Sequence, residues 1–208
     1  MQRTFIAAAV LLAALSTANA ATIGGLANTG VGVGGAKDAN YTLTAVSDPW
    51  IGTTTPVITL DNTWPVNPWM ANSATSKWIT PTASQGQSFD AWNAGTYTYS
   101  LSFDLTGYNA STASFSGRVA ADNTVKVVLN NVEIGTGNGF TDWSSFTTST
   151  TGSSAFVSGT NQLDFVVTNW AQNGGNPTGL RVEFDASSVA AVPEPETYGM
   201  LLAGLALV

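Results

Sequence analysis

Thirteen acidic side chains, seven tryptophans and a complete lack of histidine and cysteine limit the chemistry open to this chain. Without His or Cys there is no Ser-His-Asp triad, no Cys-His dyad and no zinc site of the usual nitrogen and sulfur ligands. Glycoside hydrolysis remains, because it needs only two carboxyl groups, ~5–9.5 Å apart, flanking a cleft. The candidates are Asp104, Asp122, Glu133, Asp142, Asp164, Glu183 and Asp185. Five of these (Asp104, Glu133, Asp164, Glu183 and Asp185) fall on the polar phase of alternating segments, where a solvated face is the ordinary explanation. No residue is therefore assigned a catalytic role, and the chain is expected not to be an enzyme.

The tryptophans offer binding chemistry instead. A pyranose ring stacks its C–H face on an indole while a few polar groups fix its orientation. Trp92, Trp143 and Trp170 lie in or beside expected loops, next to Asp90 and Asn93, Asp142, and Asn169 respectively. Trp92, Trp143, Trp170, Asp142 and Asn169 are the candidate ligand-binding set; the competing reading has these rings filling the ends of a core beneath their loops. Arg118, Asp122 and Asn123 form a further group. Asp122-Asn123 falls between two strands, where Asx side chains cap their own turn, and that role is preferred to ligand binding. Calcium is the one metal compatible with this Asp/Asn-rich composition, as a structural ion gathered from several loops, since no D-x-D-x-D spacing exists. No metal ligand or cofactor is assigned.

These side chains need a scaffold, and its clearest part runs from Thr96 to Gly135. Tyr97, Tyr99, Leu101, Phe103 and Leu105 alternate with Thr98, Ser100, Ser102 and Asp104, giving one buried face and one wet face. Ala113, Phe115, Gly117 and Val119 repeat the pattern. Val125, Val127 and Leu129 then meet Val132 and Ile134 across Asn130-Asn131, a pair suited to a type I′ hairpin turn. In that register Leu129 faces Val132 and Val127 faces Ile134. Further strands are expected at Tyr41–Ser47, Pro56–Leu60, Ser76–Pro81, Asn161–Trp170 and Leu180–Phe184, and Thr136–Ser154 reads as a Gly/Ser/Thr-rich passage. The stretch Asp61–Pro81, dense in Pro and Trp, reads as a long ordered loop at one end of a sandwich. The Gly-rich start, Ala21–Gly35, follows no strand, precedes no helix and has no Lys-Ser/Thr pair, so it is a lead-in or first strand rather than a phosphate loop. Roughly nine short strands and no helical period point to an all-β sandwich.

Composition agrees. Only 9% of residues are charged, against ~25% in ordinary globular chains, and Thr, Ser, Asn and Gly take the surface role. A net charge of −7 repels phosphate backbones, so nucleic acid is excluded as a partner.

The two ends read as addresses. Arg3, the apolar run Phe5–Leu15 and Ala18-Asn19-Ala20 are the parts of a secretory signal peptide over 1–20, forming a helix, with cleavage between Ala20 and Ala21. At the other end a small-residue linker, 186–192, leads to Pro193-Glu194-Pro195 and the apolar run Tyr198–Val208. Eleven residues are short of the ~20 that span a bilayer, so the run reads as a transmembrane helix cut short.

Val192-Pro193-Glu194-Pro195 followed by Leu201–Val208 resembles the PEP-CTERM sorting signal of exported bacterial proteins, here over 193–208 and without its basic cluster. The resemblance implies recognition by an exosortase and the secretion machinery, transient anchoring in the inner membrane through the C-terminal helix, and delivery to the cell surface or extracellular matrix. In the middle of the chain, Ser76-Lys77-Trp78-Ile79, Tyr97–Leu105, Ser111–Arg118, Ala121-Asp122-Asn123, Val128-Leu129-Asn130, Asn161–Val167 and Pro177–Val182 resemble an exported module similar to galactose-binding-like jelly-roll domains. Many of those are carbohydrate-binding modules. The resemblance implies a jelly-roll β-sandwich over 21–185. The expectation is a non-catalytic, exported protein that binds exopolysaccharide or another glycan at the surface or in a biofilm matrix. The alternatives are a structural surface protein without a specific ligand and, behind it, a glycan-active enzyme.

Overall fold

The computed structural model describes residues 20–148 and 155–192. The signal segment before Ala20, the Pro193-Glu194-Pro195 motif and both expected terminal helices lie outside the described residues. Every regular element among the described residues is a strand: β1 (Ala20–Ala21), β2 (Thr42–Val46), β3 (Val57–Ile58), β4 (Ile79–Thr80), β5 (Gly95–Asp104), β6 (Tyr108–Asp122), β7 (Thr124–Leu129), β8 (Val132–Asn138), β9 (Ser144–Thr147), β10 (Thr160–Asn169) and β11 (Gly179–Ala191). They form two antiparallel sheets. A six-stranded sheet runs β3-β4-β11-β6-β9, with β1 also paired to β11, and a five-stranded sheet runs β2-β5-β10-β7-β8.

The alternation that sequence shows in β5 becomes one wall of the core. Tyr97, Tyr99, Leu101, Phe103 and Leu105 are all buried, facing Phe115, Val119, Ala121, Leu180 and Val182 of the other sheet. Phe115 sits at the centre of edge-to-face contacts with Phe103, Phe146, Phe156 and Phe184, at centroid separations of 5.6–6.3 Å. Gly117 allows this packing: a Cβ there would lie 2.6 Å from both the Glu183 carbonyl and the Phe146 ring.

Asn130 and Asn131 take the left-handed conformation the hairpin needs, with φ of 46° and 68°. Leu129 faces Val132 as expected, but Val127 faces Gly135 rather than Ile134. A bulge supplies one extra residue to β8, and it keeps Ile134 buried on the core side.

Several expectations are corrected. Residues 186–192, read as a linker, continue β11 through Ala191; Ser187 and Ser188 pair with Phe115 and Ser114, so the sandwich extends beyond 185. Small residues that suggest a linker also suit a strand lying against another backbone. The passage 136–154 contains the end of β8 and all of β9. The Gly-rich start is tied across β11: Thr29 donates its N–H to Val182 O at 3.1 Å and its hydroxyl to Lys77 O at 2.8 Å.

The Pro/Trp-rich segment does more than connect strands. Alternation on β6 and β11 turns Arg118, Ala120, Arg181 and Glu183 away from the main core, and the 61–78 segment covers that outer face. Val66, Trp69, Trp78 and Ala120 form a second buried cluster, flanked by Met70, Phe140 and Trp143. The Trp69 and Trp78 rings lie 4.5 Å apart. Glu183, expected on a solvated face, is buried in this layer and accepts hydrogen bonds from Ser76 and Arg118. The fully covered Arg181 guanidinium lies 3.5 Å from Glu183 and donates to Ser76, Ser73 and the Ala71 carbonyl.

Candidate functional site

Strand register brings most of the chain's loops to one end of the sandwich. Val46 of β2 pairs with Tyr97, Gly95 of β5 with Asn169, Thr124 of β7 with Thr168, and Asp122 of β6 with Gly179. Segments 47–53, 88–94, 139–143 and 170–178, and the Asp122-Asn123 step, therefore leave the sheets together. The 61–70 segment joins them through Trp69, whose Nε1 donates to Asp122 Oδ2 at 2.9 Å.

This end carries all the well-exposed tryptophans. Trp50, Trp92, Trp170 and Trp64 are 94, 81, 54 and 45% exposed, whereas Trp69 and Trp78 are buried and Trp143 is half-buried. Burying an indole is among the larger gains open to a folding chain, so four exposed rings grouped together mark a surface built for something else. Their order follows from topology. Trp50 follows β2, Trp92 precedes β5 and Trp170 follows β10, and these three strands are successive neighbours ~4.8 Å apart.

The loops are held by side-chain staples. Asn176, buried, donates through Nδ2 to the carbonyls of Phe89 and Trp170 at 2.8 and 2.9 Å, joining the loops that carry Trp92 and Trp170. Asp90 Oδ2 accepts from the Tyr97 hydroxyl and from Asn169 Nδ2, both at 2.8 Å. Gly95 makes room for that carboxylate, since a Cβ there would lie 2.0 Å from Asp90 Oδ1. Asn123 Oδ1 accepts from the Trp170 N–H at 2.7 Å, and Thr178 Oγ1 donates to the Asp122 carbonyl at 2.7 Å. Asp122 and Asn123 thus tie other loops together rather than capping their own turn.

Between these loops lies a cleft of about 150 Å³ lined by, among others, Trp64, Trp69, Asp122, Asn123, Gln172 and Asn176. That is below the ~300–1,000 Å³ of sites that engulf a small molecule, so it suits one unit or side group of a ligand lying across the surface. Asp122 is the only charged residue among the described residues that line it. The residue is 6% exposed; burial pushes its carboxyl up to about 6, against the opposing hydrogen bond from Trp69. Its Oδ2 is taken by Trp69, while its Oδ1 is not among the buried polar atoms left without a partner and so stays open to the cleft. Among those residues no three acidic side chains gather as a metal-binding group.

Of the residues singled out from sequence, Trp92 and Trp170 stand exposed at this end, and Asp142 is exposed on the 139–143 segment. Asn169 is fully buried and positions Asp90. Trp143 is occupied otherwise: the guanidinium carbons of Arg118 and Arg181 lie 4.7 and 5.0 Å from its ring centroid. Trp50, Trp64, Gln172 and Asn176 are not among the residues the sequence singles out, whereas Asp122 is, as a candidate carboxylate and in a group for which turn capping is preferred. A Trp inside Asp48-Pro49-Trp50, between two strands, is the available signal for the first.

No family model matches the chain, and no curated protein matches it. Among solved structures it is similar to an FMN-binding β-glucuronidase from Facaelibacterium prausnitzii L2-6, with 16% identity and a TM-score of 0.33 over 68% of this chain. The chain spans only 21% of that enzyme's length. It is also similar to a family 35 carbohydrate-binding module from an environmental isolate (18% identity, TM-score 0.27, 51% of this chain and 77% of that one). A third likeness is to the carbohydrate-binding module CBM36 in complex with calcium and xylotriose (20% identity, TM-score 0.26, 45% of this chain and 76% of that one). At these TM-scores the likenesses carry no weight for function, which rests on the geometry above.

Proposed function

We propose that the protein is an exported, non-catalytic β-sandwich of the galactose-binding-like jelly-roll type that holds a glycan at its tryptophan-bearing end. One observation supports this above all: four exposed indoles and a buried carboxylate with a free oxygen share one end of the fold. Indoles supply flat stacking surfaces, while Asp122, Asn123, Gln172 and Asn176 supply polar atoms at the cleft, the usual division of labour in a sugar site. Loops stapled by Asn176 and Asp90 need little further ordering on binding. Among the described residues the cleft is lined by one carboxylate, whereas glycoside hydrolysis uses two, which favours binding over turnover.

The signal peptide and the PEP-CTERM resemblance support export, exosortase-dependent sorting and residence at the cell surface or in an exopolysaccharide matrix. Titrating the protein with matrix polysaccharide while following tryptophan fluorescence tests the binding reading. A shift or quench that saturates is expected and is weakened in Trp92→Ala and Trp170→Ala. An unchanged spectrum at millimolar sugar overturns it, and release of reducing sugar would overturn the non-catalytic part.

A further inference from the structure

The polar atoms of the cleft are unevenly divided between donors and acceptors, because two of its amides spend their NH2 groups on the surrounding chain. Asn176 Nδ2 donates to the Phe89 and Trp170 carbonyls, and Gln172 Nε2 donates to the Gly174 and Gly175 carbonyls at 3.2 and 3.1 Å. Turned the other way, each amide would set its oxygen against two carbonyl oxygens, so both orientations are fixed. Asn176 is only 5% exposed, and its Oδ1 accepts no hydrogen bond among the described residues. That oxygen is not among the buried polar atoms left without a partner, so it stays open to the cleft the residue lines. Asp122 Oδ1 is open to the cleft in the same way, with Oδ2 held by Trp69.

Two almost fully buried side chains therefore turn bare acceptor oxygens to one space of about 150 Å³. Gln172 Oε1 adds a third at the rim. The free donors among the described lining residues, Asn123 Nδ2 and Trp64 Nε1, belong to more exposed side chains; Asn123 Oδ1 already accepts from the Trp170 N–H, which leaves its NH2 free. A buried acceptor with no donor has lost hydration that only a donating group restores. A sugar hydroxyl donates to such an oxygen while the C–H face of its ring lies against the apolar walls formed by Pro65, Pro68 and Phe140. An ether or ester oxygen at the same place brings lone pairs against lone pairs.

From these orientations, and resting on the glycan reading above, we infer that the cleft recognises a sugar unit through at least two unsubstituted hydroxyl groups, which donate to Asp122 Oδ1 and Asn176 Oδ1, and that it rejects the same unit when O-methylated or O-acetylated. A cavity of this size holds one six-membered ring, so the unit is a chain end or a side group, with neighbouring sugars on the exposed tryptophans.

Calorimetry and tryptophan fluorescence on the full secreted chain test this. The probes are short oligosaccharides of glucose, galactose and mannose, each native and fully O-methylated, beside matrix polysaccharide. At least one native oligosaccharide is expected to saturate the site, and its methylated form to bind at least about tenfold more weakly. In Asp122→Asn, Trp69 Nε1 holds the amide oxygen and an NH2 replaces the open acceptor. The native oligosaccharide is then expected to weaken at least about tenfold, while the methylated form, which offers only acceptors, binds the variant more tightly than the parent. Trp92→Ala and Trp170→Ala are expected to weaken both forms alike. Methylated binding equal to native binding in the parent overturns the inference and leaves the glycan reading standing. A preference for the native form that persists in Asp122→Asn reflects methyl bulk or a merely structural Asp122, and also overturns it. Saturable binding of matrix polysaccharide with no native oligosaccharide bound overturns the inference alone. Failure of every probe to bind overturns both.

Discussion

Trp69 Nε1 donates to Asp122 Oδ2 at 2.9 Å, and this bond joins the two halves of the molecule's chemistry. Trp69 belongs to the buried layer on the outer face of the six-stranded sheet, whereas Asp122 lines the cleft at the loop end. The packed layer therefore fixes the orientation of a carboxylate that lines the cleft. Burial raises that carboxyl to about 6, above its ordinary value of 3.8. Between those values the folded state holds more protons than the unfolded one, so stability contributed by this group is full below about pH 4 and lost as pH rises through about 6. Asp122→Asn should therefore gain up to about 2–3 kcal/mol over the parent at about pH 7.5, with the gap closing toward about pH 4. Paired thermal or urea melts across that range measure it, and a gap independent of pH would show that the buried charge is not its source.

Glu183 behaves in the opposite sense for an identifiable reason. Burial alone would raise its carboxyl, but hydrogen bonds from Ser76 and Arg118 and the charges of Arg118 and Arg181 outweigh that and hold it below its ordinary value. Its contribution is full above pH 4.5 and falls away as pH drops through the depressed folded value. Glu183→Gln leaves Arg181 buried with its counter-charge gone and should cost about 3 kcal/mol at neutral pH. Urea unfolding reads this, and the deficit should narrow in acid, where the parent also loses the charge.

The tryptophans divide by burial. Trp92→Ala and Trp170→Ala remove exposed rings and should leave the melting temperature within about 1–2 °C of the parent while weakening glycan binding roughly fivefold each. Trp143→Ala removes the ring against two guanidinium groups and the flank of the buried layer, so it should lower stability by about 1–2 kcal/mol. The contrast between melts and titrations separates platform from packing.

Two glycines sit where no side chain fits. Gly117→Ala would press a methyl group into the Phe146 ring and the β11 backbone, at a cost of about 1–3 kcal/mol in an equilibrium melt. Gly95→Ala would displace the Asp90 carboxylate and so disturb the loop bearing Trp92. It should weaken glycan binding by more than its effect on stability predicts.

Cleavage of the exported protein after Ala20 is expected. The new first residue, Ala21, pairs with Val189 at the edge of β11. N-terminal sequencing of secreted protein should begin at Ala21; a start at Met1 would refute the signal reading.

Much of the fold is legible in the chain because β-structure writes itself locally. Period-2 alternation in Tyr97–Leu105 follows from side chains pointing to opposite faces, and it identifies the buried face without reference to any partner strand. Asn130-Asn131 likewise specifies a turn from the conformations Asn tolerates. The rest failed where a residue's environment is set by distant chain. Glu183 has the phase of a solvated residue, and only the crossing of 61–78 over the outer sheet face buries it. The last strand was underestimated because Ala186–Ala191 lacks the bulky alternation of Leu180–Phe184 and gains its strand from pairing with β6 and β1.

The sequence alone determined an all-β architecture with a hairpin at Asn130-Asn131, because alternation and turn conformation depend on neighbours a few residues away. It also supplied seven indoles and an acidic, histidine-free surface, which excluded whole classes of chemistry. Which indoles face solvent was decided by tertiary structure. Trp64 and Trp69 lie five residues apart in one loop, yet one rims the cleft and the other is buried against Trp78, 53 residues from the Asp122 that accepts its N–H. Strand register, a property of paired chains rather than of any one segment, carried Trp50, Trp92, Trp170 and Asp122 to the same end of the sandwich.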